Sequence, residues 1–264
     1  MTSGTEITQT SRPQLDGERD HARFGLIALA TDLTTEGDFR RMMPAKTAVH
    51  TSRIPFENPT TPENLRRIAP HLTEAAALLV PGVPLGAICF SCTSASATIG
   101  DDTVTGAIQS GRPGVPVVTP TGAALLAMSA LNVARIAILT PYIKSTSEQV
   151  AGYFEARGLS VSRLSCFGLE DDREMARVSH RSIVEGALAL DSTDAEALFL
   201  SCTALPAVGV VAEIEKLTGK PVITSNQASL WAMMRLGGRA SYRPRKWGRL
   251  FSLDLPAIPA GGAA

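Results

Sequence analysis

The amino-acid sequence predicts an α/β fold of two pseudo-symmetric Rossmann-like domains, each with a four-stranded parallel sheet flanked by helices. Two observations lead to this prediction. Short apolar segments alternate with longer helical patterns, which is typical of βαβ units and parallel sheets. The same order of segments then occurs a second time, with glycine and proline at corresponding joints.

Each half of the chain has the pattern of four strands and their connecting helices. The predicted strands are residues 24–30, 47–53, 86–90 and 115–119 in the first half, and 135–139, 160–166, 196–200 and 221–224 in the second. The main predicted helices are residues 61–79, 143–157, 173–190 and 207–218.

The internal repeat becomes visible when the chain is shifted by 110 residues, the separation of Cys92 and Cys202. Ala-Ile-Cys-Phe-Ser-Cys-Thr-Ser (87–94) then aligns with Ala-Leu-Phe-Leu-Ser-Cys-Thr-Ala (197–204), and Asp32 aligns with Tyr142. Apolar parallel strands resemble one another in any case. That general likeness does not explain a Ser-Cys-Thr triplet after the third strand of both halves, so we interpret the repeat as real.

The repeat also predicts how the domains are divided. We expect the chain to cross between the halves near Thr121 and to return near Asn226, so that the last helix of each half packs on the other sheet. The predicted parts are a flexible N-terminal extension (1–22), a first α/β domain (23–121 plus 227–251), a second α/β domain (122–226) and a flexible tail (252–264).

Composition excludes several classes of function. The 25 basic and 25 acidic residues cancel, and aromatic residues make up only 5%, which argues against nucleic-acid binding. No apolar run approaches the roughly 20 residues of a membrane span, and the N-terminus lacks the apolar segment of a signal peptide. Four cysteines without a disulfide framework indicate free thiols and a cytoplasmic location.

Cofactor and metal sites are not indicated either. No glycine-rich phosphate loop follows the first strand, and the four histidines lack metal-ligand spacing. We therefore expect no cofactor, no metal, and a small-molecule carboxylate as the partner. A homodimer is also expected.

The candidate site residues follow the ends of the predicted strands, because ligands of open parallel sheets bind at the carboxyl ends of strands. Cys92 and Cys202 stand in equivalent loops before predicted helices, where free backbone N–H groups would lower a cysteine pKa and bind a carboxylate. The other candidates for substrate binding are Asp32, Thr93, Ser94, Tyr142, Thr203 and Asn226.

Two thiols facing one substrate predict either of two reactions. One thiolate can remove a proton from a carbon next to a carboxylate while the other thiol returns a proton to the opposite face. Alternatively, a thiolate can add to a carbon–carbon double bond, allow rotation and leave. Neither reaction requires a metal or an organic cofactor.

Structural roles remain open for several of these residues. Asp32 and Asn226 can equally cap helices, and Tyr142 can pack against its neighbours. Cys89 and Cys166 are interpreted as structural thiols. The acidic run 170–172 is interpreted as a solvated helix start from which one acid could still reach the cleft, and the basic stretch 235–249 as a solvated segment, an interface or an anion site.

The paired Ser-Cys-Thr loops, the Thr140-Pro-Tyr142 turn and the segment Gly25-Leu-Ile-Ala-Leu-Ala-Thr-Asp32-Leu-Thr-Thr-Glu36 resemble the aspartate/glutamate racemase superfamily. The resemblance covers residues 24–251. It is strongest to the branch of maleate cis-trans isomerase, arylmalonate decarboxylase and the ectoine utilisation protein A family, with the last of these nearest.

The resemblance implies roles for individual residues. Cys92 and Cys202 match the two catalytic cysteines, and Tyr142 matches a tyrosine that binds a substrate carboxylate. Thr93 and Ser94 match the loop that holds a carboxylate or enolate oxygen.

Two further features bear on the substrate and the reaction. Asp32 stands where maleate isomerase has a substrate-binding asparagine, which argues against maleate and for a zwitterionic amino acid or a compound derived from ectoine or hydroxyectoine. Decarboxylases of this branch keep only the later cysteine, so the presence of both argues for an isomerase or racemase. A one-cysteine decarboxylase or lyase, a maleate isomerase and a non-catalytic two-lobed sensor remain the alternatives.

Overall fold

Two parallel sheets of four strands each form the framework of the protein. The computed structural model describes residues 5, 7–8, 10–15, 22–191 and 194–256. The strands of the first sheet are β1 (Ala22–Leu29), β2 (Thr47–Ile54), β3 (Ile88–Ser91) and β4 (Val117–Val118). Those of the second are β5 (Arg135–Tyr142), β6 (Ser160–Leu169), β7 (Ala197–Leu200) and β8 (Val222–Thr224).

The two sheets have the same topology, which confirms the predicted fold class. The first has the strand order β2-β1-β3-β4 and the second β6-β5-β7-β8, with every pairing parallel. The third strand of each half, β3 and β7, is fully buried. Strands covered on both faces are near-continuous in apolar residues, and this explains why the sequence pattern identified them.

Eleven α-helices connect the strands within the described part of the chain. They are α1 (Thr35–Met42), α2 (Pro62–Arg66), α3 (Leu72–Ala77), α4 (Thr93–Ile99), α5 (Asp101–Gly111), α6 (Pro120–Ala130), α7 (Lys144–Glu155), α8 (Asp172–Met175), α9 (His180–Leu190), α10 (Val211–Thr218) and α11 (Ser225–Leu236). None of them is long and apolar enough to cross a membrane.

Two of the predicted helices are interrupted. Residues 61–79 form α2, a 3₁₀ turn at Ala69–His71 and α3, because Pro70 has no N–H to continue an α-helical ladder. Residues 173–190 form α8 and α9. Ser179 starts α9 as its N-cap, with its hydroxyl accepting the N–H of Ser182 at 3.1 Å.

Helices α6 and α11 are equivalent elements, since each follows the fourth strand of its half. Thr119 caps α6 by accepting the N–H of Gly122, and Thr224 caps α11 by accepting the N–H of Gln227. The two helices pack against each other, and each contacts strands of both sheets. The predicted domain division, with residues 227–251 joining the first domain, stays a prediction. The predicted flexible segments 1–22 and 252–264 lie largely outside the described residues.

The basic stretch 235–249 begins with a buried side chain rather than a solvated one. Arg235 is 8% exposed, and its guanidinium donates to three backbone carbonyls, those of Leu253 at 2.9 Å, Tyr242 at 3.0 Å and Phe251 at 2.7 Å. The remaining basic side chains of the stretch, such as Arg245, are mostly exposed. Arg235 therefore fastens the segment after α11 to that helix.

We expect Arg235→Met to lower the free energy of unfolding by about 3 kcal/mol, because three carbonyls lose their charged donor. Denaturant unfolding followed by circular dichroism measures the change. Arg245→Met, which replaces an exposed arginine of the same segment, is the control and should change it by less than about 0.5 kcal/mol. Equal effects of the two substitutions would contradict the anchoring role.

Candidate active site

Cys92 is placed by the end of β3 and the start of α4. Its backbone is extended, and it is the N-cap residue of the helix. Its sulfur lies 3.5 Å from the hydroxyl of Ser94 and accepts a hydrogen bond from the backbone N–H of Ala95. This arrangement agrees with the prediction that the first-turn N–H groups of a helix face the thiol.

Cys202 follows β7 but does not begin a helix. Residues 201–207 form an irregular loop, after which a 3₁₀ turn (Val208–Val210) leads into α10. Cys202 therefore stands in a loop before a helix, as predicted, although α10 begins only at Val211. The loop still turns N–H groups toward the sulfur, since Ala204 N–H donates to Sγ at 3.2 Å and Leu205 N–H also contacts it.

Both thiols line one small cavity between the two sheets. Its volume is about 20 Å³, room for little more than one water molecule and far below the usual size of a small-molecule site. Its lining residues come from both halves of the chain: Leu29, Asp32, Thr60, Ser91, Cys92, Ser94, Tyr142, Asp172, Met175, Cys202, Thr203 and Ala204.

Tyr142 connects the two sides of this cavity. It is the last residue of β5 and is only 2% exposed. Its hydroxyl lies within hydrogen-bonding reach of Cys202 and Ser94. Burial, together with the neighbouring thiols Cys202 and Cys92, raises the pKa of Tyr142 well above its ordinary value. The phenol therefore remains a neutral hydrogen-bond donor at physiological pH.

The thiols have raised pKa values, contrary to the predicted lowering. Burial raises the pKa of Cys92 to about 11, against the hydrogen bonds from Ser94 and Ala95 that lower it. Burial likewise raises the pKa of Cys202 to about 12, against the hydrogen bonds from Tyr142 and Ala204. Desolvation of a charged sulfur therefore outweighs the loop donors, and both groups are thiols at pH 7.

Asp32 both caps a helix and lines the cavity. One carboxylate oxygen accepts the N–H groups of Thr34 at 2.8 Å and Thr35 at 2.9 Å, and the other accepts the hydroxyls of Thr35 at 2.6 Å and Ser91 at 3.3 Å. The two interpretations of this residue are therefore compatible. Its contacts hold one carboxylate at the edge of the cavity beside Cys92.

Asp172 lines the cavity, so one acid of the run 170–172 reaches the cleft, which the sequence left open against a solvated helix start. It begins α8 and is 6% exposed. Its carboxylate accepts the hydroxyl of Thr31 and, at 2.8 Å, the amide of Asn58, so a residue of the second half is bound by two from the first. Its position just after β6 could have indicated this placement. The predicted end of that strand, Cys166, was however three residues short of the observed end, Leu169.

Among the other predicted binding residues, Ser94 and Thr203 line the cavity, whereas Thr93 and Asn226 do not. The Thr93 hydroxyl donates to Ser225 at 2.8 Å. The Asn226 amide donates to Asp38 and to the Thr203 carbonyl, each at 2.9 Å. These two side chains bind the protein itself, so their contact with substrate stays a prediction.

Cys89 and Cys166, interpreted as structural, lie away from the cavity. Cys89 is buried within β3, and Cys166 is exposed on β6. Within the described ranges, no group of three or more histidine, cysteine or acidic residues is arranged to hold a metal ion. The arrangement of two thiols, one phenol and loop N–H groups offers proton transfer or sulfur addition as its chemistry.

Comparisons with known proteins point to one group. A maleate isomerase of Nocardia farcinica is 24% identical over 253 residues, covering 91% of this chain and 94% of its own. Arylmalonate decarboxylase of Bordetella bronchiseptica is 33% identical over 141 residues, covering 52% of this chain and 58% of its own.

Solved structures of the same two kinds share the fold. Maleate isomerase Iso from Pseudomonas putida S16 superposes with a TM-score of 0.81 at 22% identity, covering 88% of this chain and 98% of its own. A mutant of the Nocardia farcinica maleate cis-trans isomerase with a covalently bound succinylcysteine intermediate gives 0.80 at 22% identity, covering 87% and 98%. The sequence pattern of the arylmalonate decarboxylase family matches residues 73–251, more than half of the chain, and the protein belongs to that family.

Proposed function

We propose that this chain is a cofactor-independent isomerase or racemase in which Cys92 and Cys202 act on one small carboxylate substrate. The observation that carries the proposal is that both thiols line one small cavity, one from each sheet, together with Tyr142. At the coarser level, the chain is an enzyme of the group that holds maleate isomerase and arylmalonate decarboxylase. The maleate isomerases among its relatives agree with the expected isomerase class.

In the two-base reaction, one sulfur starts as a thiolate and the other as a thiol. The thiolate removes the proton on the carbon next to the carboxylate, and the electron pair of the C–H bond moves into the carboxylate as an enediolate. The opposite thiol then delivers its proton to the other face of that carbon. The thiolate and the thiol have exchanged places, and no other reactant is consumed. The hydroxyls of Tyr142 and Ser94 can stabilise the enediolate oxygen.

The charges that line the cavity favour a substrate with a cationic group. Asp32 and Asp172 are its charged lining residues, and no lysine, arginine or histidine is among the described residues around it. A second carboxylate on the substrate would be repelled in this desolvated space, whereas an ammonium group would be attracted. This supports an amino-acid-like substrate, and we propose a diamino acid of ectoine or hydroxyectoine degradation.

A cationic substrate would also help to ionise the thiols. Burial is the largest cause of the raised pKa of Cys92, and the carboxylates of Asp172 and Asp32 add to it. An ammonium group bound beside them offsets that effect and stabilises a thiolate. Binding of a cationic substrate would then favour the thiolate that the reaction requires.

Maleate cis-trans isomerisation is the second candidate. It is favoured by the maleate isomerases among the relatives and by the succinylcysteine in one similar structure. In that reaction a thiolate adds to one carbon of the double bond, and rotation and loss of sulfur follow. A one-cysteine decarboxylase is a weaker candidate, because both cysteines are present in one cavity. The homodimer and the cytoplasmic location remain predictions.

The raised thiol pKa values can be tested without a substrate. We expect alkylation of Cys92 and Cys202 by iodoacetamide to be slow at pH 7 and to accelerate about tenfold per pH unit up to pH 10, because the ionised fraction of a thiol grows by that factor below its pKa. Peptide mass spectrometry measures each site, with exposed Cys166 as the internal reference for reagent activity. A plateau of either rate near pH 8 would contradict the effect of burial.

Proton NMR in D₂O tests the reaction itself. The panel contains hydroxyectoine, its ring-opened acetylated diamino acids, aspartate, glutamate and maleate. We expect loss of the α-proton signal of a diamino acid with deuterium uptake, and at least about a 1,000-fold loss of this exchange in both Cys92→Ser and Cys202→Ser.

Cys166→Ser, which replaces an exposed thiol, is the matched control and should exchange at the wild-type rate. Conversion of maleate to fumarate instead would favour the second candidate. Survival of the reaction in Cys92→Ser would indicate a one-cysteine enzyme.

The charge of the cavity predicts the effect of Asp172→Asn. This variant keeps the size of the side chain but removes one anion, so KM for a cationic substrate should rise about tenfold, the usual cost of weakening a charged hydrogen bond. Steady-state kinetics with the substrate found by NMR measures it. Asp102→Asn, at an exposed acid on α5, is the control with unchanged KM. Equal KM values for Asp172→Asn and the wild type would argue against an ammonium site.

A further inference from the structure

The loop that carries Cys202 depends on bonds from outside itself. Residues 201–207 contain no helix or strand, although hydrogen bonds such as that from the N–H of Ala207 to the Leu205 carbonyl at 2.8 Å lie within the loop. Three side-chain bonds tie it down. The Thr34 hydroxyl donates to the Ala204 carbonyl at 2.7 Å, the Thr203 hydroxyl donates to the Ser91 carbonyl at 3.3 Å, and the Asn226 amide donates to the Thr203 carbonyl at 2.9 Å.

The Asn226 amide has only one useful orientation. The residue is 1% exposed, and its nitrogen donates both to the Thr203 carbonyl and to the carboxylate of Asp38 at 2.9 Å. Its oxygen is buried, with no partner among the described residues. An amide that rotated by half a turn would fit the same space. Both neighbours can only accept hydrogen bonds, however. The Asp38 carboxylate and the Thr203 carbonyl therefore require the amide nitrogen of Asn226 to face them.

Asp38 lies where burial of a carboxylate is energetically unfavourable. It lies on the buried side of α1, is 2% exposed and does not line the cavity. Burial raises the pKa of Asp38 to about 6, although the Asn226 hydrogen bond and the charge of Arg41 lower it. The surrounding charges are Arg41 at 3.7 Å on the same helix, His180 on α9 and the like-charged Asp32. A buried carboxylate of this kind weakens the fold at neutral pH, so stability does not explain its presence.

We propose that Asp38 and Asn226 are positioning residues for Cys202. Asp38 orients the amide of Asn226, the amide holds the Thr203 carbonyl, and that carbonyl belongs to the residue next to the reactive sulfur. Fixing it keeps Cys202 pointed into the cavity, where its sulfur meets Tyr142 and the N–H of Ala204. The proposal rests on the proposed function in that Cys202 acts in the reaction.

Exchanging the side chains of Asp38 and Asn226 distinguishes a positioning role from a packing role. Asn226→Asp alone puts two carboxylates together and removes the donor to Thr203. The double variant Asp38→Asn/Asn226→Asp restores a donor–acceptor bond between the same positions with the same total charge. At pH 8 it still lacks the donor to the Thr203 carbonyl, because an ionised carboxylate only accepts.

We expect the melting temperature of the double variant to lie within about 3 °C of that of the wild type, while its Cys202 loop opens more often. Hydrogen exchange in the peptide spanning 201–207 should be about tenfold faster, with the peptide around Cys92 unchanged. Alkylation of Cys202 should rise by a similar factor relative to Cys92 and Cys166, because opening exposes the buried sulfur. With an identified substrate, kcat should fall about tenfold with KM changed less than about threefold.

Ser225→Ala is the matched control, since it alters the first turn of α11 but contacts Thr93 instead of the loop. Its exchange in residues 201–207 should equal that of the wild type. The proposal would be overturned if hydrogen exchange in the loop and alkylation of Cys202 in the double variant had the wild-type rates. Faster exchange spread evenly over the chain would also overturn it. Hydrogen exchange and alkylation need no substrate. If no panel compound reacts in the D₂O assay, these two measurements still test the positioning role.

Discussion

Burial of two thiols in one small cavity is the constraint on which the rest of the site depends. The cavity exists because two copies of the same four-strand sheet place the ends of their third strands near each other. Each third strand leads into a Ser-Cys-Thr triplet, so one sulfur lies at the end of each sheet. Desolvation then keeps both sulfurs protonated, because a charge in this space lacks the stabilisation that water would provide.

In the proposed two-base reaction, which needs one thiolate and one thiol, a protonated resting state has a chemical advantage. A pair of permanent thiolates could not return a proton, and each would be open to oxidation. The protein instead surrounds the sulfurs with donors that become effective once charge develops: the Tyr142 hydroxyl, the Ser94 hydroxyl and the N–H groups of Ala95 and Ala204. Under the proposed function, the cavity carboxylates Asp32 and Asp172 would connect this activation to the charge of the substrate.

The supporting contacts show that the site is shared between the halves of the chain. Asp172 comes from the second half and is held by Thr31 and Asn58 from the first. The Cys202 loop is fastened by Thr34, before α1, and by Asn226 on α11. Residues of the first half therefore order parts of the site that the second half contributes. The geometry of the two sulfurs depends on how the sheets are packed, and a separated half would lack it.

The succession of strands along the chain and the pairing of Cys92 with Cys202 could be predicted because both follow from local pattern and repetition. Buried parallel strands are continuous apolar runs, and a duplicated Ser-Cys-Thr triplet marks equivalent strand ends. Interrupted helices were missed where one residue, such as Pro70 or Ser179, ended a helical pattern that otherwise continued. The predicted β6 was also too short, so the sequence left open whether Asp172 lies in solvent or in the cleft.

The sequence by itself determined the two-sheet fold, the symmetric placement of the cysteines and the candidate residues at the strand ends, since periodicity and repeats are properties of the chain. Only the tertiary structure decided the protonation of the thiols, the position of Asp172 in the cavity and the turn of Asn226 toward Thr203 instead of the cavity. These outcomes depend on burial and on partners distant in sequence, such as Asp38, 188 residues away from Asn226. The free energy of a charge or an amide is set by what surrounds it in space, and that is absent from local sequence pattern.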